Sequence, residues 1–324
     1  MEEEAISPAT MERMRKTISS LPNDNGWRLP FPFYFYEGFS ISTLFLEGII
    51  LAQELFQAEP SDIFICSPPK SGTTWIKALT FAIVTRTHFQ NSTNPLLSKT
   101  PHDILPFYET IFSKRWPHIR QPGIPLIATH TPYTSLPKSV QDSDCKIVYV
   151  CRDPKDVFVS LFHFFAKVRF KEHEPISLEE AFEMFCEGKS SFGPYWNHVL
   201  GYWKASLERP KKVLFLKYED MMTDTALYVK KIAEFVGYPF SLEEEEEGMV
   251  EKIVETCSFE FLSNLEVNRE GAVESLSKLS QNNLYFRKGT VGDWKNYLTL
   301  EMADRLNKIT EQKLSGSGLT LNAS

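Results

Sequence analysis

The chain has 324 residues, of which 42% are hydrophobic, 13% aromatic and 24% charged. This apolar content suffices for a large core and excludes a disordered chain, a collagen-like repeat and a disulfide-stabilised miniprotein. The 42 acidic residues outnumber the 35 Lys and Arg residues, and the resulting net charge of -7 argues against nucleic acid as the main partner.

The N-terminal residues 1–30 are predicted to form a flexible arm in front of a single domain, residues 31–324. The chain opens with acidic residues, unlike a secretory signal, so we expect a cytoplasmic protein. Its longest apolar run, residues 44–52, contains Glu47 and is much shorter than the roughly 18 residues of a membrane span, so no membrane partner is expected.

Four segments have the apolar, β-branched composition of short buried strands. The predicted strands are residues 62–66, 126–129, 146–151 and 212–216, and helices are predicted at 73–86, 157–166 and 223–236. Buried strands separated by helices are typical of a parallel sheet that is covered on both faces. The sequence therefore predicts an α/β domain with its ligand at the carboxyl ends of the strands.

The turn after the first predicted strand, residues 67–72, has the features of an anion-binding loop. It leads into a helix N-terminus, where unpaired N–H groups and the helix dipole favour negative charge. Lys70 adds a full charge, and Ser71 and Thr73 add hydroxyl groups. In a Walker loop the lysine follows the second glycine, whereas Lys70 precedes Gly72, so an ordinary ATPase or kinase is disfavoured.

Three further groups are predicted to lie near this loop. His130 follows the strand at 126–129, where an imidazole suits a general base, although a lone histidine there is also commonly structural. Arg152 and Ser160 follow the next strand, and residues 287–289 join two cations to a glycine that permits close approach of a ligand. Together these groups predict a ligand with two separated phosphate-like anions.

Several motifs together resemble those of the soluble sulfotransferases, above all the plant branch. They are PKSGTTW at 69–75, THTP at 129–132, YVCRDPKD at 149–156, YED at 218–220 and FRKGTVGDW at 286–294. The resemblance extends from about residue 20 to the end of the chain. It implies transfer of a sulfonate group from 3′-phosphoadenosine 5′-phosphosulfate (PAPS) to a hydroxyl of a small acceptor, in an α/β domain with a P-loop-like phosphosulfate loop.

The resemblance also implies roles for individual residues. His130 would be the general base, and Lys70 would stabilise the leaving nucleotide. The implied nucleotide-binding residues are Lys70, Ser71, Gly72, Thr73, Thr74, Trp75, Arg152, Ser160, Tyr218, Arg287, Lys288 and Gly289, with residues 256–259 beside the adenine. No metal is needed, and the five scattered cysteines, which form no CxxC pair, predict free thiols rather than a metal site.

Two other functions remain open at this point. A nucleotide phosphotransferase would require magnesium and a Walker-type lysine, which the loop lacks. A silent nucleotide-binding module would have lost Lys70 or His130, and both are present. The dimer motif of animal relatives is incomplete near Lys295, where Asp304 replaces a glutamate, so a monomer or weak homodimer is expected.

The acceptor pocket is the least determined part of the site. An apolar wall for a flat phenol is predicted from Phe31, Phe33, Tyr34, Phe35, Phe81, Phe107, Tyr108 and Tyr133. A flavonoid or other phenol is the favoured acceptor, followed by a brassinosteroid or other steroid alcohol, hydroxyjasmonate and a desulfoglucosinolate. Ala128 and Thr131 depart from the animal pattern around His130, and residues 264–283 are polar and long enough for a lid.

Overall fold

The computed structural model describes residues 6–29, 31–89, 93–112, 120, 122–168, 174–273 and 280–321. Its strands are β1 (Asn23–Asp24), β2 (Phe33–Tyr36), β3 (Phe39–Ser42), β4 (Ile63–Cys66), β5 (Leu126–Thr129), β6 (Lys146–Cys151), β7 (Val213–Lys217), β8 (Ala272–Val273) and β9 (Ser280–Gln281). Short 3-10 helices span Gly26–Arg28, Pro95–Leu97, Tyr133–Ser135, Asn282–Tyr285 and Asp293–Asn296.

The α-helices surround these strands. They are α1 (Pro8–Ser19), α2 (Thr43–Leu55), α3 (Thr73–Thr85), α4 (Pro101–Ile104), α5 (Tyr108–Phe112), α6 (Lys138–Asp142), α7 (Pro154–Val168), α8 (Leu178–Cys186), α9 (Tyr195–Glu208), α10 (Tyr218–Thr223), α11 (Thr225–Val236), α12 (Leu242–Glu246), α13 (Met249–Thr256), α14 (Phe259–Asn264), α15 (Glu266–Arg269) and α16 (Leu300–Leu314).

A four-stranded parallel sheet in the order β5-β4-β6-β7 lies at the centre of the fold. Strand β4 pairs with both β5 and β6, and β6 pairs with β7. Because the strands run parallel, their carboxyl ends meet at one edge of the sheet. The remaining described strands form an antiparallel sheet of β1, β2 and β3 and the small β8-β9 pair.

Helices cover both faces of the parallel sheet. Phe64 and Cys66 of β4 belong to a core that includes residues of α7, α9 and α16. Ile63 and Ile65 belong to a second core, built with α3, α11 and α13. Since successive side chains of a strand point to opposite faces, this partition places one core on each side. The predicted single α/β domain with a helix-covered parallel sheet is confirmed.

The segment before Phe31 packs against the domain. Met14 of α1 and Trp27 are each only 2% exposed, and the indole Nε1 of Trp27 donates to the carbonyl oxygen of Lys189 at 2.6 Å. Strand β1 of this segment pairs with β2, beyond residue 30. The described part of the predicted arm is therefore held by tertiary contacts, because two large apolar side chains are buried there. The domain boundary near residue 30 stays a prediction.

Helices α2 and α5 approach so closely that a glycine is required between them. A Cβ atom added to Gly48 of α2 would lie 1.6 Å from the carbonyl oxygen of Glu109 in α5. No rotation of a side chain relieves this contact, since the obstructing atom belongs to the backbone. Any side chain at Gly48 must push α5 away from α2.

Gly48→Ala is therefore expected to lower the free energy of unfolding by about 2 kcal/mol or more, as overpacking of a rigid core does. A denaturant titration measures the loss. The matched control is Gly201→Ala in α9, where the added Cβ meets only Tyr133, at 3.5 Å. That control is expected to stabilise the protein by up to about 1 kcal/mol, since alanine favours a helix more than glycine does. Equal effects of the two substitutions would contradict the packing argument.

Candidate active site

The carboxyl ends of the four parallel strands open into one cavity of about 670 Å³. Lys70 follows β4, His130 follows β5, Arg152 follows β6 and Tyr218 follows β7, and all four line this cavity. The parallel topology alone brings them together from positions far apart in the chain. The candidate residues at the ends of the four strands therefore share one cavity.

The loop between β4 and α3 has the backbone of an anion cradle. Lys70 has a positive φ of 66°, and Gly72, at the N-cap of α3, has a φ of 98°. A Cβ on Gly72 would lie 2.7 Å from Cδ2 of Tyr218, so this position needs glycine for space as well as conformation. The Oγ of Ser71 is buried without a hydrogen-bond partner, whereas the hydroxyl of Thr73 contacts that of Ser67 at 2.6 Å.

Two arginines form a second cationic group on the cavity wall. The guanidinium of Arg152 donates to the carbonyl oxygen of Thr290 at 2.6 Å and lies 3.2 Å from Asp156. Arg287 donates to the carboxylate of Asp293. In both arginines the Nε atom is buried without a partner. These contacts fix each side chain and leave its Nε–H donor unused.

Aromatic side chains lie between the two cationic groups. The rings of Trp75 and Tyr218 meet edge to face with centroids 5.4 Å apart, and the Tyr218 hydroxyl donates to the carbonyl oxygen of Gly289 at 3.1 Å. Gly289 has a φ of 66°, and a Cβ there would lie 2.4 Å from the ring of Phe259. This arrangement can hold a flat heteroaromatic ring between aromatic faces.

The structure brings the sequence-predicted binding residues to one place. The predicted residues that line the cavity are Lys70, Gly72, Thr73, Thr74, Trp75, Arg152, Ser160, Tyr218, Arg287, Lys288 and Gly289. Ser71 lies in the same loop, fully buried behind the wall. The predicted adenine segment contributes Cys257, Ser258 and Phe259.

The imidazole of His130 is held as a neutral base. Its Nδ1 lies 2.7 Å from the carbonyl oxygen of Ser67, and because a carbonyl only accepts, Nδ1 carries the hydrogen. The lone pair is therefore on Nε2. Burial lowers the pKa of His130 to about 3, and the charges of Lys77 and Lys70 act in the same direction. The ring therefore stays unprotonated at neutral pH and can accept a proton only at Nε2.

The ammonium group of Lys70 lies in a site that disfavours its charge. It sits 4.3 Å from the centroid of the Phe164 ring. Burial lowers the pKa of Lys70 to about 7, and the nearby charges of Arg287, Arg152 and Lys167 lower it further. A site that contains several cations and little compensating negative charge is suited to a polyanionic ligand.

A family model of the sulfotransferase domain matches residues 60–318, more than half of the chain. The chain belongs to the sulfotransferase family. It is 49% identical over 320 residues to cytosolic sulfotransferase 17 of Arabidopsis thaliana, with 96% of this chain and 92% of the relative covered. It is 50% identical over 292 residues to flavonol 3-sulfotransferase of Flaveria bidentis, with 90% of this chain and 94% of the relative covered.

This sulfotransferase has the same fold as solved sulfotransferases. A candidate steroid sulphotransferase of Arabidopsis thaliana is similar with a TM-score of 0.75 and 38% identity, covering 98% of this chain and 99% of that one. A mouse sulfotransferase solved in complex with PAP is similar with a TM-score of 0.65 and 28% identity, covering 88% and 95%. The predicted enzyme class, a sulfotransferase, is confirmed.

Two residues that hold His130 could not be predicted from the sequence. The carboxylate of Glu109 accepts the backbone N–H of His130 at 2.9 Å, and Nε2 of His198 donates to the carbonyl oxygen of His130 at 2.8 Å. Glu109 and His198 are both completely buried, and burial raises the pKa of Glu109 to about 7. No sequence motif indicates either residue, because each contacts the backbone of His130 from a distant position in the chain.

The cavity has an aromatic wall, and its composition differs from that of the predicted acceptor wall. Of the eight predicted wall residues, three line the cavity: Phe31, Phe33 and Phe107. Phe81 and Tyr108 are buried in the two cores, and Phe35 is 52% exposed. The aromatic lining residues that were not predicted for the acceptor side are Phe45, Phe164, Phe165, Tyr285 and Phe286.

Within the described ranges, no helix has the length and apolarity required to cross a membrane. The described residues also contain no group of three or more His, Cys, Asp or Glu that could hold a metal ion. Of the predicted lid at 264–283, residues 274–279 lie outside the described residues.

Proposed function

We propose that this sulfotransferase transfers a sulfonate group from PAPS to a phenolic hydroxyl of a flavonoid or similar flat acceptor. The observation that carries the proposal is a single cavity that contains a neutral histidine base, a buried lysine and a second cationic group. A flat aromatic acceptor and a nucleotide with two anionic ends would use all of these features.

The residues present fit the nucleotide. Arg152 Nε and Arg287 Nε are buried polar atoms without a partner, and both belong to residues that line the cavity. Buried polar groups without partners are rare, so a ligand that bonds to these arginines is favoured. The loop of Lys70 would bind the 5′-phosphosulfate, and Arg152, Ser160 and residues 287–289 would bind the 3′-phosphate. The similar mouse sulfotransferase was solved with PAP.

The reaction then requires one proton acceptor and one cation. His130 Nε2 accepts the hydroxyl proton while the acceptor oxygen bonds to sulfur and the bond from sulfur to the phosphate oxygen breaks. Lys70 neutralises the negative charge that develops on that phosphate oxygen, an electrostatic contribution made in a buried site. Glu109 and His198 hold the backbone of His130, and the carbonyl oxygen of Ser67 holds its ring, so little reorganisation is needed during the transfer.

A flavonoid or related phenol is the proposed acceptor because the wall beside His130 is aromatic. The ring of Phe107 lies 4.2 Å from that of His130, and Phe192 lies 5.5 Å away, by centroid distance. A flat ring can stack there with its hydroxyl toward Nε2. The flavonol 3-sulfotransferase relative supports this acceptor class. A steroid alcohol is the second proposed acceptor. We also propose that the protein is cytoplasmic. Its proposed oligomeric state is a monomer or weak homodimer.

A sulfonate-transfer assay tests this function directly. The protein is incubated with PAPS, without added metal, against separate pools of flavonols, simple phenols, steroid alcohols, hydroxyjasmonate and desulfoglucosinolates, and products are identified by mass spectrometry. A sulfated flavonol or phenol is expected. A product from another pool only would overturn the acceptor, and transfer that depends on magnesium or moves a phosphoryl group would overturn the reaction.

Arg287→Ala is expected to weaken binding of adenosine 3′,5′-bisphosphate (PAP) by about tenfold or more, since hydrogen bonds between charged groups are among the stronger ones. Binding of adenosine 5′-phosphate, which lacks the 3′-phosphate, is expected to change much less. Calorimetry of both nucleotides gives the comparison, with Arg305→Ala, which removes an exposed partner of Glu183, as the control. Equal losses for both nucleotides would show that Arg287 does not contact the 3′-phosphate.

A further inference from the structure

A chain of three polar side chains extends from the interior of α3 to the cavity. The ammonium nitrogen of Lys77 lies 3.2 Å from Nδ1 of His102, and Nε2 of His102 lies 2.9 Å from Oγ1 of Thr74. Thr74 and His102 line the cavity, whereas Lys77 is completely buried. Thr74 and Lys77 are three residues apart in one helix, so they share a face, and His102 of α4 bridges them.

The charge state of Lys77 sets the direction of hydrogen-bond donation along these three side chains. When Lys77 is charged, its ammonium group can only donate, so Nδ1 of His102 accepts and Nε2 carries the hydrogen. Nε2 then donates to the oxygen of Thr74. The hydrogen of the Thr74 hydroxyl is thereby free to point away from His102, toward a ligand in the cavity. Thr74 lies in the first turn of α3, where an anion is already favoured.

The protonation state of Lys77 depends on the charges around it, including an anion bound in the cavity. Its ammonium group lies 3.3 Å from the centroid of the Phe107 ring. Burial lowers the pKa of Lys77 well below its usual value, while the carboxylates of Glu109 and Asp103 oppose this shift. Negative charge at Thr74 adds to those carboxylates and favours the charged lysine, which is the form that fixes the direction of donation.

We propose that Lys77 and His102 are positioning residues that orient the Thr74 hydroxyl as a hydrogen-bond donor to the anionic 5′-phosphate end of the nucleotide. The pair acts only through Thr74 and does not itself contact the ligand. This inference rests on the proposed function, since it takes the nucleotide as the anion in the cavity. It adds a buried cation to the nucleotide site that no loop motif contains.

A double-mutant cycle measured by calorimetry with PAP tests the proposal. Lys77→Met and Thr74→Val are each expected to weaken binding about tenfold, the effect of losing one hydrogen bond to a charged group. The double variant is expected to bind within about twofold of the weaker single variant, because both changes remove the same bond. Thr74→Ser keeps the hydroxyl and is expected to retain the wild-type affinity. Losses that multiply in the double variant, or no rescue by serine, would overturn the proposal.

His102→Phe breaks the same chain in a second way and decides the matter if Lys77→Met does not fold. Phenylalanine keeps a ring against Tyr285, whose centroid lies 4.1 Å from that of His102, but removes both nitrogens. We expect the same loss of PAP affinity, again without a further loss in the Thr74→Val background. Full affinity in His102→Phe would overturn the proposal.

Matched controls separate this effect from general damage. Lys212→Met removes another buried lysine, which donates to the carbonyl oxygen of Val140 at 2.6 Å, and Thr80→Val removes a hydroxyl that α3 uses for the carbonyl oxygen of Ile76, also at 2.6 Å. Neither residue lines the cavity, so unchanged PAP affinity is expected even where the unfolding temperature falls. Failure of the wild-type protein to bind PAP would overturn the proposed function, whereas an additive cycle in a PAP-binding protein overturns only this inference.

Discussion

Replacing His130 with alanine is expected to lower kcat of sulfonate transfer by about 10² to 10⁴-fold, the usual contribution of a general base. Binding of PAP is expected to stay within severalfold of wild type, because the nucleotide site is built from other residues of the cavity. Transfer is measured by product formation and binding by calorimetry. His88→Ala, which removes an exposed histidine, is the control with unchanged activity.

The pH dependence gives an independent check on His130. An ordinary histidine has a pKa near 6.5, and activity that needs its neutral form falls as the pH drops through that value. Burial lowers the pKa of His130 to about 3, so the neutral form persists well below pH 6. An NMR titration is therefore expected to show the Nδ1–H tautomer of His130 throughout the range from about pH 5 to 8. Protonation near pH 6.5, or lost PAP affinity in His130→Ala, would make His130 a structural residue instead.

The local motifs could be predicted because their chemistry is local. Lys70, Gly72 and Thr74 form one turn and helix start, so their donors converge whatever the rest of the chain does. His130 and Arg152 required one further step, the rule that parallel strands end at one edge of a sheet. The order of predicted strands, turns and helices indicates a parallel sheet, and the structure contains one.

The partners that hold these residues could not be predicted, because they are distant in the chain and carry no motif. Glu109 contacts the backbone of His130, and His198 reaches the same residue from α9. The aromatic wall shows the same limit. Phe33 is 4% exposed and Phe35 is 52% exposed, although both lie in β2 two residues apart. Their difference depends on which segments pack over each end of the strand, which composition does not encode.

Lys70→Met is expected to lower kcat by about 10² to 10³-fold, comparable to the loss of one preorganised charge-stabilising donor. Methionine fills a similar volume, so the ring of Phe164 beneath the ammonium group stays covered. Only the charge is removed. Lys138→Met is the control, since Lys138 is an exposed surface residue paired with Asp142. A rate within severalfold of wild type would exclude Lys70 from the stabilisation of the leaving nucleotide.

The protonation of Lys70 provides the complementary measurement. In the free site its pKa is lowered to about 7, first by burial and then by the charges of Arg287, Arg152 and Lys167. The charged form is therefore present below pH 7 and is lost as the pH rises through that value. A polyanion raises this pKa again, so PAP binding at about pH 8 is expected to take up a proton. Calorimetry in buffers of different ionisation enthalpy detects the uptake, and Lys70→Met is expected to reduce it. Uptake of unchanged size in Lys70→Met would assign the proton to another group, such as the buried Lys77.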